Sequence, residues 1–251
     1  MQNIKLTIEY DGTRFQGWQS QNKGQRTVQD EIEGALKKIC KEKIRLIGSG
    51  RTDSGVHALA QVANFKTKSK RPAKEYINAL NGNLPKDISI INAESVPLSF
   101  HAQYTAKKKT YRYSILYRPT RSALQHRFSF HISTQLNVAL MRKEAKTLIG
   151  RKDFASFQTS DPVRKRAGKQ ENTIRHITAL NIKKHGDVIA IDITANGFLY
   201  KMVRNIVGTL LEIGSGKKPK GSMQTILKNK NRTMAGQTAK ACGLMLLKVI
   251  Y

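Results

Sequence analysis

Acid is what this sequence most lacks. Its 251 residues include 17 Asp and Glu against 45 Lys and Arg, a formal charge of +28 at pH 7. So few carboxylates cannot neutralise the basic groups from within, and the excess points outward to a polyanion. Cysteine is also scarce. Cys40 and Cys242 stand near opposite ends of the chain, outside any CxxC or Cys/His cluster, which argues against a disulfide framework or a structural zinc site. The six histidines, His57, His101, His126, His131, His176 and His185, form no HExxH or related pairing, so no metal is expected. Missing too is any uncharged run approaching the roughly 18 residues of a membrane span. The opening MQNIKLTIEYDG runs directly into an alternating strand pattern, without the charged and apolar regions of a signal peptide. Of the polyanions that compete for this charge, nucleic acid, an anionic membrane and acidic protein, the membrane falls behind. A cytoplasmic location is expected.

What is present is enough to fold. At 39% apolar residues, the length allows one large domain or two modest ones. Ile4, Leu6, Ile8 and Tyr10 alternate before the turn Asp11-Gly12. Thr27-Val-Gln-Asp30 has the form of a capping box, and Val28, Ile32, Ala35, Leu36 and Ile39 follow it at helical spacing. A short apolar run at 44–47, a glycine-bounded loop and a strand through Val62, Asn64 and Lys66 come next. A helix is expected from Pro72 through Leu80, and a further strand from Ile88. The second half repeats that vocabulary. It offers a strand over Tyr111–Tyr117, a helical stripe over Leu136–Ile149 and a strand pair at 174–182 and 188–193 around His185-Gly186-Asp187. Helices near 200–213 and 224–230 and a closing strand Leu244–Ile250 complete it. Strands with helices packed on them make an α+β architecture. The break is placed between 105 and 106, giving an N-terminal half 1–105 and a C-terminal half 106–251.

Basic residues concentrate in three places. They are Lys107-Lys108-Lys109 with Arg112, Arg118 and Arg121; Arg164-Lys165-Arg166 with Lys169; and Lys217, Lys218, Lys220, Lys228, Lys230 and Arg232. Any one of them reads equally well as a solvated lysine face. Together they favour a phosphate backbone. Against this background the stretch GSGRTDSGVHA, Gly48 to Ala58, poses a question. Its glycines permit positive φ or a close approach to a ligand. A carboxylate expected to meet phosphate needs a local reason to be there. Asp53 could cap a turn or pair with Arg51. It could also act as nucleophile or general base at a sugar carbon, such as the one a nucleotide's glycosidic bond provides. Chemistry on a base requires that base to leave the stack, and Arg51 is long and planar enough to fill the gap while holding phosphate. A buried carboxylate needs a cation to stay ionised, and Arg204, in an otherwise apolar helix start, is a candidate.

GSGRTDSGVHA, EYDGTRFQGWQSQ, FHAQYTAKKKTYRY, DFASF, NGFLYKMVRNIVG and TAKACGL all lie within the span from Ile4 to Tyr251. Together they resemble the tRNA pseudouridine synthase A (TruA) family. The resemblance implies a pseudouridine synthase fold, in which two α+β halves share one mixed, mainly antiparallel sheet. It implies a homodimer acting on transfer RNA, with no cofactor. The implied reaction isomerises uridine to pseudouridine in the anticodon stem-loop, at positions 38, 39 and 40. Asp53 matches the family's catalytic aspartate, Tyr111 the tyrosine that stacks near the displaced uracil, and Arg204 the basic partner of the aspartate. Arg51 matches the arginine that holds the everted nucleotide, and His57 lies in the same motif, in loop structure or in RNA contact. Two departures stand out. Gln103 replaces a common arginine, and Ser122–Ser133 lacks the usual arginine and tryptophan pattern. A paralogue acting on another RNA and a non-catalytic RNA-binding protein are the alternatives.

Overall fold

A computed structural model describes residues 1–21, 24–160 and 172–251. The chain divides into two compact units, Met1–Lys107 with Met245–Tyr251, and Lys108–Leu244. The boundary expected between 105 and 106 thus falls at Lys107–Lys108. The C-terminal half does not run to the end of the chain, because the closing strand returns to the first unit.

The first unit starts with β1 (Gln2–Tyr10), followed by α1 (Val28–Cys40), β2 (Ile47–Gly48), β3 (His57–Thr67), α2 (Glu75–Asn81) and β4 (Ile88–Val96). Its sheet has β1 between β3 and β4, antiparallel to both, with Ile4 opposite Phe65 and Leu6 opposite Ala63. Thr27 caps α1, its hydroxyl accepting from Asp30 N, as the capping-box pattern requires. Val28, Ile32 and Leu36 of α1 are fully buried, as are Tyr76 and Leu80 of α2 and Ile4, Leu6 and Ile8 of β1. Tyr76 meets Phe65 edge to face at 5.3 Å, which docks α2 on β3. The closing strand β10 (Leu244–Ile250) runs parallel to β3, with Met245 opposite His57.

The second unit contains β5 (Lys108–Tyr117), β6 (Phe130–Ile132), α3 (Val138–Lys146), β7 (Gly150–Asp153), β8 (Ile174–His185), β9 (Val188–Ala195), α4 (Met202–Gly214) and α5 (Ser222–Asn229). β9 lies between β5 and β8, antiparallel to both; β7 adds to β8, and the short β6 pairs in parallel with β5. The buried face carries Tyr113, Ile115, Ile189, Ile191 and Ile193. Arg142 of α3 donates to Ile182 O at 2.9 Å, fixing that helix to β8. α5 begins at Gly221 without a side-chain cap of its own. The buried Glu144 of α3 caps it instead, accepting from Gly221 N at 2.8 Å and Met223 N at 3.1 Å, where the helix dipole favours an anion. Each unit is therefore α+β, with mixed, mainly antiparallel strands. Two short strands, β6 and β7, escape the sequence pattern because three or four residues show no periodicity. Among the described residues no helix is long and apolar enough to cross a membrane.

Candidate active site

The loop between β2 and β3 is fastened from two sides. From β3, the buried Gln61 accepts from Ser49 Oγ at 2.6 Å and donates to Gly50 O at 2.9 Å. From the segment after β1, Trp18 N donates to Thr52 O at 3.1 Å, while Gly55 N and Ser54 Oγ both donate to Phe15 O. The Tyr10 hydroxyl lies 2.7 Å from Thr52 Oγ1. Burial raises the pKa of that phenol, so it stays neutral. Trp18 is itself buried, and its indole closes on Gly48. A Cβ at residue 48 would sit 2.4 Å from the indole Nε1, so the close approach made by this glycine is to the protein's own tryptophan. Of the three glycines in the loop only Gly55 has a positive φ, of +76°.

This fastening has a directional consequence. Thr52 and Val56 are buried, Asp53 is half-buried and Arg51 is exposed. The loop thus presents the carboxylate and the guanidinium on a backbone held at both flanks. His57 belongs to the fastening. It is 1% exposed, and its Nδ1 accepts from Gly12 N at 3.0 Å. Asp11 Oδ1 is 3.2 Å from the same nitrogen and also accepts from Thr13 N and Thr13 Oγ1. The imidazole therefore pins the turn that leads into Phe15 and Trp18.

In the second unit Tyr111 and Tyr113 stand two residues apart on β5. Tyr113 is fully buried, donates to Lys240 O at 2.7 Å, and has its phenol pKa raised by burial; it is a core aromatic. Tyr111 is 8% exposed and meets Phe198 edge-on at 5.2 Å. Lys109 shares the strand face of Tyr111, and burial, then the charge of Arg175, pushes its pKa down to about 8. Arg204 lies in the first turn of α4, where its Nε donates to Ala239 O at 2.7 Å and its own carbonyl accepts from Ala239 N at 3.1 Å. This reciprocal pair orients the planar guanidinium. Next to it, the buried Asn205 donates to Phe157 O and accepts from Arg232 and Thr238, which holds the segment after residue 231 to the helix.

Asp53, Arg51 and His57 thus belong to the first unit, and Tyr111 and Arg204 to the second. Gln61, Trp18 and Phe198 are supporting residues that sequence reasoning missed. Their only signal was an aromatic or amide beside glycine-rich motifs. Two basic clusters are partly committed internally. Arg112 makes a bidentate pair with Asp192 at 2.8 Å, and Arg118 donates to Thr120 O and reaches Asp187 at 3.4 Å. In the other, Lys230 pairs with Asp153 at 2.9 Å and Lys218 with Glu212 at 3.6 Å. Lys107, Lys108, Lys217, Lys220 and Lys228 are exposed. The Arg164–Lys169 cluster lies outside the described residues. Gln103 sits exposed in a turn, its N–H donating to His101 Nδ1.

A family model described as tRNA pseudouridine synthase matches residues 6–105 and 145–251. A protein of Thermoanaerobacter sp. (strain X514) named tRNA pseudouridine synthase A is 48% identical over the whole of both chains. One of Clostridium perfringens (strain 13 / Type A), named tRNA pseudouridine synthase A 2, is 46% identical over the same span. A chain of a solved Cbf5-Nop10-Gar1 complex aligns at 10% identity and a TM-score of 0.38, covering 97% of this chain and 48% of that one.

Proposed function

This chain belongs to the tRNA pseudouridine synthase family, and we propose that Asp53, Tyr111 and Arg204 form its reacting centre while Arg51 holds the displaced nucleotide. The enzyme is an isomerase that converts uridine in transfer RNA to pseudouridine. In that reaction the N1–C1′ bond breaks, the uracil turns, C5 bonds to C1′, the C5 proton leaves and N1 takes one up. Nothing is oxidised or reduced, and the departing base is also the nucleophile that returns.

Three roles suit the Asp53 carboxylate: attack on C1′, attack on the base, or removal of a sugar proton. All three require it ionised. A guanidinium provides this, because an opposite charge favours the charged form where burial opposes it. Arg204, anchored through its Nε to Ala239 O, is the cation we assign to that task. Tyr111, braced by Phe198, stacks on the turning uracil and takes the C5 proton. Arg51 fills the space that the everted base vacates. His57 positions the loop through Gly12, and its burial favours that role over contact with RNA. The target uridines lie in the anticodon stem-loop, at positions 38, 39 and 40, and the enzyme works as a homodimer, for which light scattering expects twice the chain mass of 28.2 kDa.

The presentation of Asp53 and Arg51 by a loop fixed on both flanks carries this reading. Tritium release from C5-labelled uridine in transfer RNA tests it. Wild type should release the label, while Asp53→Ala should bind the RNA and release none. Release by Asp53→Ala would refute the catalytic assignment. Binding without release by wild type would favour a non-catalytic RNA-binding protein.

A further inference from the structure

A basic surface emerges from strand register that linear inspection of the sequence does not reveal. β2 pairs antiparallel with β3, Ile47 opposite Asn64 and Gly48 opposite Ala63. Extended back past the start of β2 into residues 43–46, that register would bring Arg45 beside Lys66 and Lys43 beside Lys68. The segment is tied along this line. Glu42 Oε1 accepts from Thr67 Oγ1 and, at 3.0 Å, from Lys68 N; Glu33 accepts from Leu46 N at 2.9 Å. Burial alternates accordingly. Ile44, Leu46, Phe65 and Thr67 are at most 4% exposed, whereas Lys43, Arg45, Lys66 and Lys68 are all exposed. Since antiparallel neighbours point to the same side, the four cations share one face.

We infer that this face is a phosphate-tracking surface for the substrate RNA, engaging backbone outside the nucleotide that reacts. The inference rests on the RNA-modifying reading above. Segments 41–45 and 66–71 together hold seven Lys and Arg against one acid, Glu42. That acid is turned onto Thr67 and the Lys68 backbone, and hydrogen bonding from Thr67 holds its pKa below the usual carboxylate range. Like charges at neighbouring strand positions repel one another, which folding alone gives no reason to accept. A polyanion relieves that repulsion and releases its counter-ions on binding. A phosphodiester backbone fits this chemistry best.

The test is the fourfold variant Lys43→Gln/Arg45→Gln/Lys66→Gln/Lys68→Gln, with Lys43→Arg/Lys66→Arg/Lys68→Arg as the charge-keeping control. Full-length transfer RNA binding is measured across a salt series, and kcat by tritium release at saturating RNA. The fourfold variant should bind at least tenfold more weakly, and its log K against log[salt] slope should be shallower by about one for each phosphate no longer neutralised. Its kcat should be unchanged, and the arginine control should match wild type. Unchanged affinity and slope would overturn the proposal. So would unchanged RNA affinity together with abolished binding to vesicles containing phosphatidylserine. Failure of the catalytic reading would show separately, as absence of tritium release by wild type, while leaving the binding comparison intact.

Discussion

β3 and β9 are both inner strands of their units, and they use their buried positions differently. β9 alternates strictly: Ile189, Ile191, Ile193 and Ala195 are fully buried, and the residues between them are half-exposed. β3 buries His57, Gln61, Asn64 and Thr67 among its apolar residues. Each polar group fastens a different loop. His57 takes the turn after β1, Gln61 the loop carrying Asp53, and Thr67 the segment after α1. Asn64 donates to Asn3 at 2.9 Å and accepts from Ala102 N at 2.8 Å, while Asn3 donates to Pro97 O and Phe100 O, so the pair fixes the stretch 97–102. Because Gln61, Asn64 and Thr67 each find side-chain partners, their burial avoids the desolvation cost of an orphaned polar side chain. β9 is thus a source of stability. β3 devotes part of its core to holding loops in place, and one of those loops carries the candidate catalytic carboxylate.

The comparison is broken most severely at β9. Ile191 lies opposite Tyr113 on one side and Ile182 on the other, fully buried. Ile191→Ala should cost about 3–4 kcal/mol through the forfeited transfer energy and the cavity left behind, a large part of a typical stability of about 5–15 kcal/mol. The urea midpoint should fall accordingly, with kcat per folded molecule retained. Gln61→Ala should do the reverse. It leaves Ser49 Oγ and Gly50 O without their β3 partner, at a cost of about 1–3 kcal/mol. The loop carrying Asp53 and Arg51 then loses its anchor, and small misplacements of reacting groups are expensive, so kcat should fall about tenfold to a hundredfold. If Gln61→Ala lowered the urea midpoint as far as Ile191→Ala and left kcat unchanged, β3 would be ordinary core.

This contrast also explains what could be read from the sequence. β9, β5 and α1 were legible because alternation, helical spacing and a capping box are local signals, and the elements formed where the signals stand. β3 was legible only from Val62 onward. Its start at His57 disappears into the glycine-rich loop, because a histidine and a glutamine that are buried to bind loops resemble exposed ones. Arg51 and Asp53 stood out through residue type within a motif. Trp18 and Phe198 did not, since their importance lies in what they touch. The return of β10 to the first unit is likewise invisible in chain order, as it depends on a parallel pairing of Met245 with His57, far apart along the chain.

The smallest effect belongs on the outer face of β5 and β9, where Arg112 and Asp192 lie directly opposite in register. Their pairing is bidentate at 2.8 Å, but the side chains are 44% and 28% exposed. Water screens them, and holding a long side chain in place costs entropy, so such pairs usually contribute about 0.2–1 kcal/mol. A double-mutant cycle with Arg112→Ala and Asp192→Ala should give a coupling energy in that range, shrinking as salt is added. A coupling above about 2 kcal/mol, insensitive to salt, would mean that the second unit draws substantial stability from its polar face as well. The distinction between β9 as apolar spine and β3 as polar fastener would then fail at its other end. Because the counter-charge of Asp192 lies beside it, Arg112 brings little net charge to a phosphate, and removing it should change the salt dependence of RNA binding less than removing any one of the four cations on the β2–β3 face.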